Sequence, residues 1–249
     1  MLIKNLDSHT LKKIAAVSML IDHIGYLLIG NGIVRMYGND APEYEMWYHI
    51  YCVMRSAGRV AFPIYVFLLT EGIFYTRNWK KYGFRLGIFA VLSEIPFNLV
   101  RYGTLIMWEG QNVFFTLLIG LLTVKTAEYL CKNITFNSKN QYDLFFWLVT
   151  GLGGCILAIW MNTDYSYIGV LLTVFFYCYR FDRKIQCMGG FLWLFSTLGK
   201  IYYIWGLSAA FLLIYFYNGK KGSGRGKYLF YLFYPAHLLL LYWIYCLIF

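Results

Sequence analysis

The stretch LKKIAAVSMLIDHIGYLLIGNGIV, Leu11–Val34, decides the fold class. Two lysines open it, a long apolar run follows, and Arg35 closes it. At about 1.5 Å per residue it crosses a hydrocarbon core of about 30 Å. Eight more apolar runs follow it: Gly58–Thr76, Tyr82–Val100, Val113–Leu130, Leu144–Met161, Tyr165–Tyr179, Ile185–Leu198, Ile201–Tyr217 and Tyr228–Phe249. The sixth and seventh spans are short and read equally as tilted helices or a re-entrant pair. The sequence therefore predicts an all-α, polytopic transmembrane bundle of about nine helices, eight to ten, as a single domain over residues 1–249.

Composition agrees. Of 249 residues, 60% are hydrophobic and 14% charged, well below the roughly 25% of soluble domains. The mean hydropathy is +0.54. Aromatic residues make up 21% of the chain, which suits interfacial belts as well as helix packing. The formal charge of +10 does not require nucleic acid, because the basic residues punctuate the apolar runs. A lipid bilayer with an anionic face is the simpler partner. The six cysteines show no C-x-x-C spacing and read as small buried hydrophobes; no disulfide, zinc or other metal site is expected. The first ten residues are polar, and no signal-peptide cleavage site follows them.

The basic residues also set the orientation. With the N-terminus in the cytoplasm, Lys4, Lys12, Lys13, Arg77, Lys80, Lys81, Arg85, Lys125, Lys132, Lys139, Arg180, Arg183, Lys184, Lys220, Lys221, Arg225 and Lys227 all fall on inner segments. Only Arg35, Arg55, Arg101 and Lys200 fall outside, with Arg59 at the outer end of the second span. Such alternation is the positive-inside pattern of a multi-pass membrane protein with its N-terminus in and its C-terminus out. Residues Arg35–Ala57 are the longest stretch between spans, and their Asp40, Glu43, Glu45, Trp47, Tyr48 and Tyr51 suit an interfacial amphipathic segment. The loop Asn218–Lys227 reads as flexible, and Gly83 and Gly87 as a small-xxx-small packing pair.

Ionisable side chains inside the spans are costly and demand a reason. Asp22 and His23 sit in the first span, Glu71 in the second, Glu94 in the third and His237 in the last. His23 and Glu94 lie about 18 Å from the inner edge, His237 about 13 Å and Glu71 about 10 Å. One cavity near the midplane is expected. Glu94, Asn98 and Arg101 share a helix face, and Asn112 with Thr116 forms a second polar stripe. Pro63, Pro96 and Pro235 each remove a backbone donor, predicting helix breaks. Arg59 and Glu71 point about 120° apart, and Asp22 and His23 about 100°, so each needs its own partner. The plainer readings are cross-helix hydrogen bonds for a histidine, a broken-helix partner for a glutamate and snorkelling for Arg59.

The motifs LKKIAAVSMLIDHIGYLL (Leu11–Leu28), GRVAFPIYVFLLTEG (Gly58–Gly72), SEIPFNL (Ser93–Leu99), NVFFTLLIGLL (Asn112–Leu122), DYSYIGVLLTVFFY (Asp164–Tyr177) and YPAHLLLL (Tyr234–Leu241) occur in that order. In order and content the chain resembles the TraX family, integral-membrane acyltransferases named for the protein that acetylates the N-terminus of F-type pilin. The resemblance implies transfer of an acetyl or other short acyl group from cytoplasmic acyl-CoA. The implied acceptor is an amine or hydroxyl, such as a peptide N-terminus or a small molecule, at or across the membrane. Such chemistry needs a base for the acceptor proton and donors for the oxyanion. The candidate catalytic residues are His23 as base or transient acyl carrier, Asp22 or Glu71 fixing its tautomer, and His237 as second base or donor. Arg59, Glu94, Asn98, Asn112 and Asp164 are the candidate substrate-binding residues. A homo-oligomer is compatible with the pattern. The competing classes are a secondary transporter with a midplane ionisable site and a non-catalytic membrane assembly factor.

Overall fold

The structure, a computed structural model, describes residues 6–37, 41–134, 139–222 and 227–249, with all side chains there except those of 139–142 and 227. Lys4, Asp40 and Arg225 lie outside the described residues, as do the side chains of Lys139 and Lys227. Helices follow one another as α1 Ser8–Ile24, continued by a wider π-helical stretch Gly25–Val34, then α2 Pro42–Gly58, α3 Ala61–Tyr75, α4 Trp79–Tyr102 and α5 Val113–Asn133. They continue as α6 Lys139–Trp160, α7 Ser166–Cys178, α8 Arg183–Leu198, α9 Ile204–Tyr215 after a 3₁₀ turn Ile201–Tyr203, and α10 Lys227–Ile248. Among the described residues, six segments are long and apolar enough to cross a membrane: Ser8–Val34, Pro42–Tyr75, Trp79–Tyr102, Val113–Asn133, Asp143–Trp160 and Tyr228–Ile248. Ser166–Cys178 and Ile201–Tyr215 are shorter apolar helices. The all-α polytopic expectation holds.

Buried polar side chains within an apolar core, and a largely apolar surface, set the described residues apart from a soluble protein. Arg59, Asn98, Asn112, Gln186 and His237 are buried, while Leu144, Leu148, Leu152 and Ile156 of α6 and Leu229, Leu232, Leu240 and Leu247 of α10 are exposed. Water would penalise that surface; lipid does not.

Two expectations need correction. Residues 35–57, expected to lie between spans with part of them an amphipathic interfacial segment, hold the full helix Pro42–Gly58, which packs against α1 and the π stretch and belongs to the candidate span Pro42–Tyr75. The charges that ended the expected span are compensated within the fold, as the site below shows for Arg55. Nor do all prolines break helices. The α2–α3 junction at Arg59 and Val60 is the one Pro63 imposes, since Pro63 cannot donate to the Arg59 carbonyl. Helices α4 and α10 instead continue through Pro96 and Pro235.

The chain divides into two compact units. The first comprises Met1–Tyr65, Ile95–Ile106 and Cys187–Phe249, the second Val66–Glu94 and Met107–Gln186. In the first, α1 packs on α2 and α10, and α2 on α9. Its N-terminal end is tied down: Leu6 and Tyr217 form a β-bridge, and the Ser8 hydroxyl donates to the Lys221 carbonyl at 2.8 Å. Asp7 caps α1 by accepting the Thr10 N–H at 2.7 Å, which holds its carboxyl below the usual range. The cap therefore persists until pH falls through that lowered value.

In the second unit α5, α6 and α7 pack mutually. A close approach lies at Gly154 of α6, where a Cβ would overlap the Thr123 hydroxyl and come within 3.1 Å of Val170, and another at Gly120 of α5, 2.8 Å from the Thr173 hydroxyl. Gly83 and Gly87, read as a small-xxx-small packing pair, make ordinary contacts of 3.5 Å or more to Leu118 and Leu121. A tight turn joins α6 to α7, with Asn162, Tyr165 and Ser166 all in the left-handed region. Gly154→Leu is expected to cost about 1–3 kcal/mol by overpacking. Gly153→Leu, exposed on the same helix and with nothing within 4 Å of its Cβ, should be neutral. Thermal unfolding of the two variants in detergent compares them directly, and equal melting temperatures would contradict this packing.

Candidate functional site

One turn of α1 and the end of α2 build the polar centre of the first unit. Asp22 accepts from the Arg59 guanidinium with both oxygens, at 2.9 and 3.0 Å, and from Arg55 at 2.8 Å. All three side chains are largely buried, at 14%, 8% and 16% exposure respectively. Spacing explains the clamp: Arg55 and Arg59 lie one turn apart and face the same way, and the Arg59 Nε donates to the Arg55 carbonyl at 3.2 Å. Backbones must come close for so short a reach. Gly58 permits it, since a Cβ there would overlap the Asp22 carboxylate. The Ser18 hydroxyl reinforces the contact by donating to the Ala57 carbonyl at 2.7 Å. The guanidinium planes lie over aromatic rings, Arg59 over Tyr203 at 4.8 Å and Arg55 over Tyr26 at 5.4 Å. Two cations against one carboxylate leave the cluster with an excess positive charge.

His23, the next residue, points elsewhere. Its Nδ1 lies 2.9 Å from Nε2 of His237 on α10. The His237 Nδ1 in turn lies 2.7 Å from the Phe233 carbonyl. A carbonyl can only accept, so His237 Nδ1 carries a proton. In a neutral ring its Nε2 then accepts, and the proton between the rings belongs to His23 Nδ1. The result is a relay, His23 Nδ1–H to His237 Nε2 and His237 Nδ1–H to the Phe233 carbonyl. His23 Nε2 is left with an unused lone pair. Phe233 stacks on His237 at 4.8 Å and Tyr234 stands edge-on to both imidazoles, so the pair is held by one turn of α10. His237 is buried and His23 half-buried.

The expected orienting carboxylate for His23 is thus replaced by an imidazole, because both Asp22 oxygens are occupied by arginines. Arg55, counted in the sequence only as an outer charge, is the residue missed. Its spacing of four from Arg59 was the available signal. Asn98 of this unit is buried, and its Oδ1 has no hydrogen-bond partner.

The remaining candidates belong to the second unit. Glu71 approaches Arg183 at 3.8 Å. Glu94 accepts the Asn112 backbone N–H at 2.9 Å and also bonds its amide side chain. Asn112 then donates to the Ala90 carbonyl at 2.7 Å and caps α5 by accepting the Phe114 N–H at 3.0 Å. The Asp164 N–H donates to the Gln111 carbonyl at 2.8 Å, and its carbonyl accepts from Thr116. These contacts fasten α4, α5 and the α6–α7 turn together.

An apolar helical bundle carrying a buried ion cluster and an imidazole relay defines an integral-membrane protein with a polar site among its helices. The chain belongs to the TraX family: the family model described as TraX protein matches residues 7–245, every candidate site residue included. It is similar to a probable fimbrial assembly protein FimC, serogroup H1, of Dichelobacter nodosus, at 28% identity over 265 residues and 96% of each chain. No solved structure matches it.

Removing Asp22 should expose how much the clamp matters. Asp22→Asn leaves two guanidinium groups facing each other and is expected to cost about 3–5 kcal/mol. Adding Arg55→Gln should restore part of that loss. Thermal unfolding in detergent measures both, and a single variant as stable as the parent would rule the clamp out as a structural keystone.

Proposed function

We propose that this protein is an integral-membrane acyltransferase of the bacterial cytoplasmic membrane. It moves an acetyl or other short acyl group from acyl-CoA to an amine or hydroxyl acceptor, such as a peptide N-terminus. The observation that carries this reading is the contact of His23 Nδ1 with His237 Nε2 and of His237 Nδ1 with the Phe233 carbonyl, which assigns the hydrogen to His23 Nδ1 and makes its Nε2 the base. Membership of the TraX family supports acyl transfer over transport, and similarity to a probable fimbrial assembly protein favours a peptide acceptor.

In the proposed reaction the acceptor's N–H or O–H gives its proton to His23 Nε2 while its heteroatom attacks the thioester carbonyl. The C–S bond then breaks, and the imidazolium returns the proton to the departing thiolate. Acyl–S–CoA and H–X thereby become acyl–X and HS–CoA. His237 acts as a positioning residue, holding the His23 tautomer and taking up part of the transient charge. The net positive cluster of Arg55, Asp22 and Arg59 favours the developing oxyanion or an anionic acceptor. Asn98, with a buried unpartnered oxygen, is assigned to the acceptor. Glu94, Asn112 and Asp164 are assigned to holding the second unit in shape, and Glu71 to its ion pair.

Transfer of label from radiolabelled acetyl-CoA to an N-terminally free peptide tests the proposal. His23→Ala should lower the rate by about 10²–10⁴-fold. His237→Phe should lower kcat and shift the pH–rate profile while leaving the KM for peptide nearly unchanged. Full transfer by a folded His23→Ala variant would remove the relay from the mechanism.

A further inference from the structure

Three arginines gather around the last turns of α3 in the second unit. Phe67, Glu71 and Phe74 lie at i, i+4 and i+7 and so share one face of that helix. Arg183 sits over the Phe67 ring at 4.4 Å and loosely pairs with Glu71 at 3.8 Å. The Arg180 guanidinium is enclosed by three rings, 5.0 Å from Phe74, 4.4 Å from Tyr177 and 4.6 Å from Phe181. Arg85 stacks over Tyr82 at 5.7 Å, and that tyrosine packs against Gly72 of the same α3 turn.

Arg183 is partnered by Glu71 and by the Gln186 amide oxygen, and Arg180 donates one N–H to the Tyr177 carbonyl at 3.0 Å, but the inner edges of Arg85 and Arg180 are under-used. The Nε atoms of both Arg85 and Arg180 are buried without a partner. Among the described residues, no carboxylate approaches either within ion-pair distance. Aromatic faces satisfy a guanidinium plane but not its N–H edge, and a buried donor without an acceptor is costly. The edge of a stacked guanidinium matches two oxygens of a phosphate, with the rings available for a flat base or an acyl chain.

We infer that this arginine–aromatic cluster is a binding site for a phosphate ester, with Arg180 at its centre and Arg85 and Arg183 beside it. Phe181, 79% exposed, is the ring that must swing to admit the ligand. The alternation of basic residues puts this end of the helices on the inner face. Two sources of such a phosphate are present there, coenzyme A and an anionic lipid headgroup. The choice of coenzyme A as first probe rests on the acyltransferase reading; the phosphate site itself does not.

Calorimetry on the protein in phosphatidylcholine nanodiscs tests it with coenzyme A, and native mass spectrometry with added phosphatidylglycerol. Arg180→Met should weaken one of the two ligands by about tenfold or more, whereas Lys132→Met, exposed on α5, should not. Arg180→Lys keeps the charge but not the planar edge, so an intermediate loss there excludes a mere folding defect. Loss confined to coenzyme A identifies the nucleotide as the source, and loss confined to phosphatidylglycerol identifies the lipid. Unchanged binding of both in a folded Arg180→Met protein, or no binding of either by the parent, overturns the inference. Label transfer that persists alongside such a result would leave the His23 reading standing.

Discussion

A single carboxylate clamped between two guanidinium groups is the constraint on which the first unit depends. Asp22 cannot be buried alone, and neither Arg55 nor Arg59 can. Their mutual neutralisation allows α2 to lie against the first helix despite its charges, and Gly58 makes the distance short enough. Once that register is set, the next residue has no freedom. His23 is turned about 100° from Asp22, and its ring meets His237 on α10 rather than the arginines on α2.

The imidazole relay follows from the same geometry. A carboxylate partner would have made His23 more basic, but would also have placed a second negative charge in apolar surroundings. A histidine backed by a main-chain carbonyl orients the ring without adding charge. Phe233 performs two tasks at once, since its carbonyl fixes the His237 tautomer and its ring covers the imidazole face. Pro235 lies between the two without interrupting α10.

Much of this was legible in the chain. The apolar runs fix an all-α polytopic bundle, because nothing else leaves so few charges across so many long segments. The divergence of Asp22 from His23, and the need of Arg59 and Glu71 for separate partners, follow from helical rotation and are met by Arg59–Asp22 and Glu71–Arg183. What was not legible is azimuth. Depth along an axis can be counted, but which neighbour a side chain faces depends on packing. Hence Arg55 read as a solvated outer charge, and α2 as a segment between spans. Likewise Glu94 and Asn112 read as members of two separate polar stripes, although their hydrogen bonds close on each other and on Ala90. Prolines mislead for a related reason. Pro63 stands in the first turn of α3 and marks a real break, whereas Pro96 and Pro235 sit inside helices that continue past them.

The most direct test of the central claim is the protonation of four ring nitrogens. Solid-state NMR on protein labelled with ¹⁵N-histidine, with His23→Gln and His237→Gln spectra supplying the assignments, reports which nitrogen of each ring carries hydrogen. The relay requires Nδ1–H on both rings, a coupling across the hydrogen bond from His23 Nδ1 to His237 Nε2, and a bare Nε2 on His23. Hydrogen on His23 Nε2 in the resting protein, or no coupling between the two rings, would contradict it.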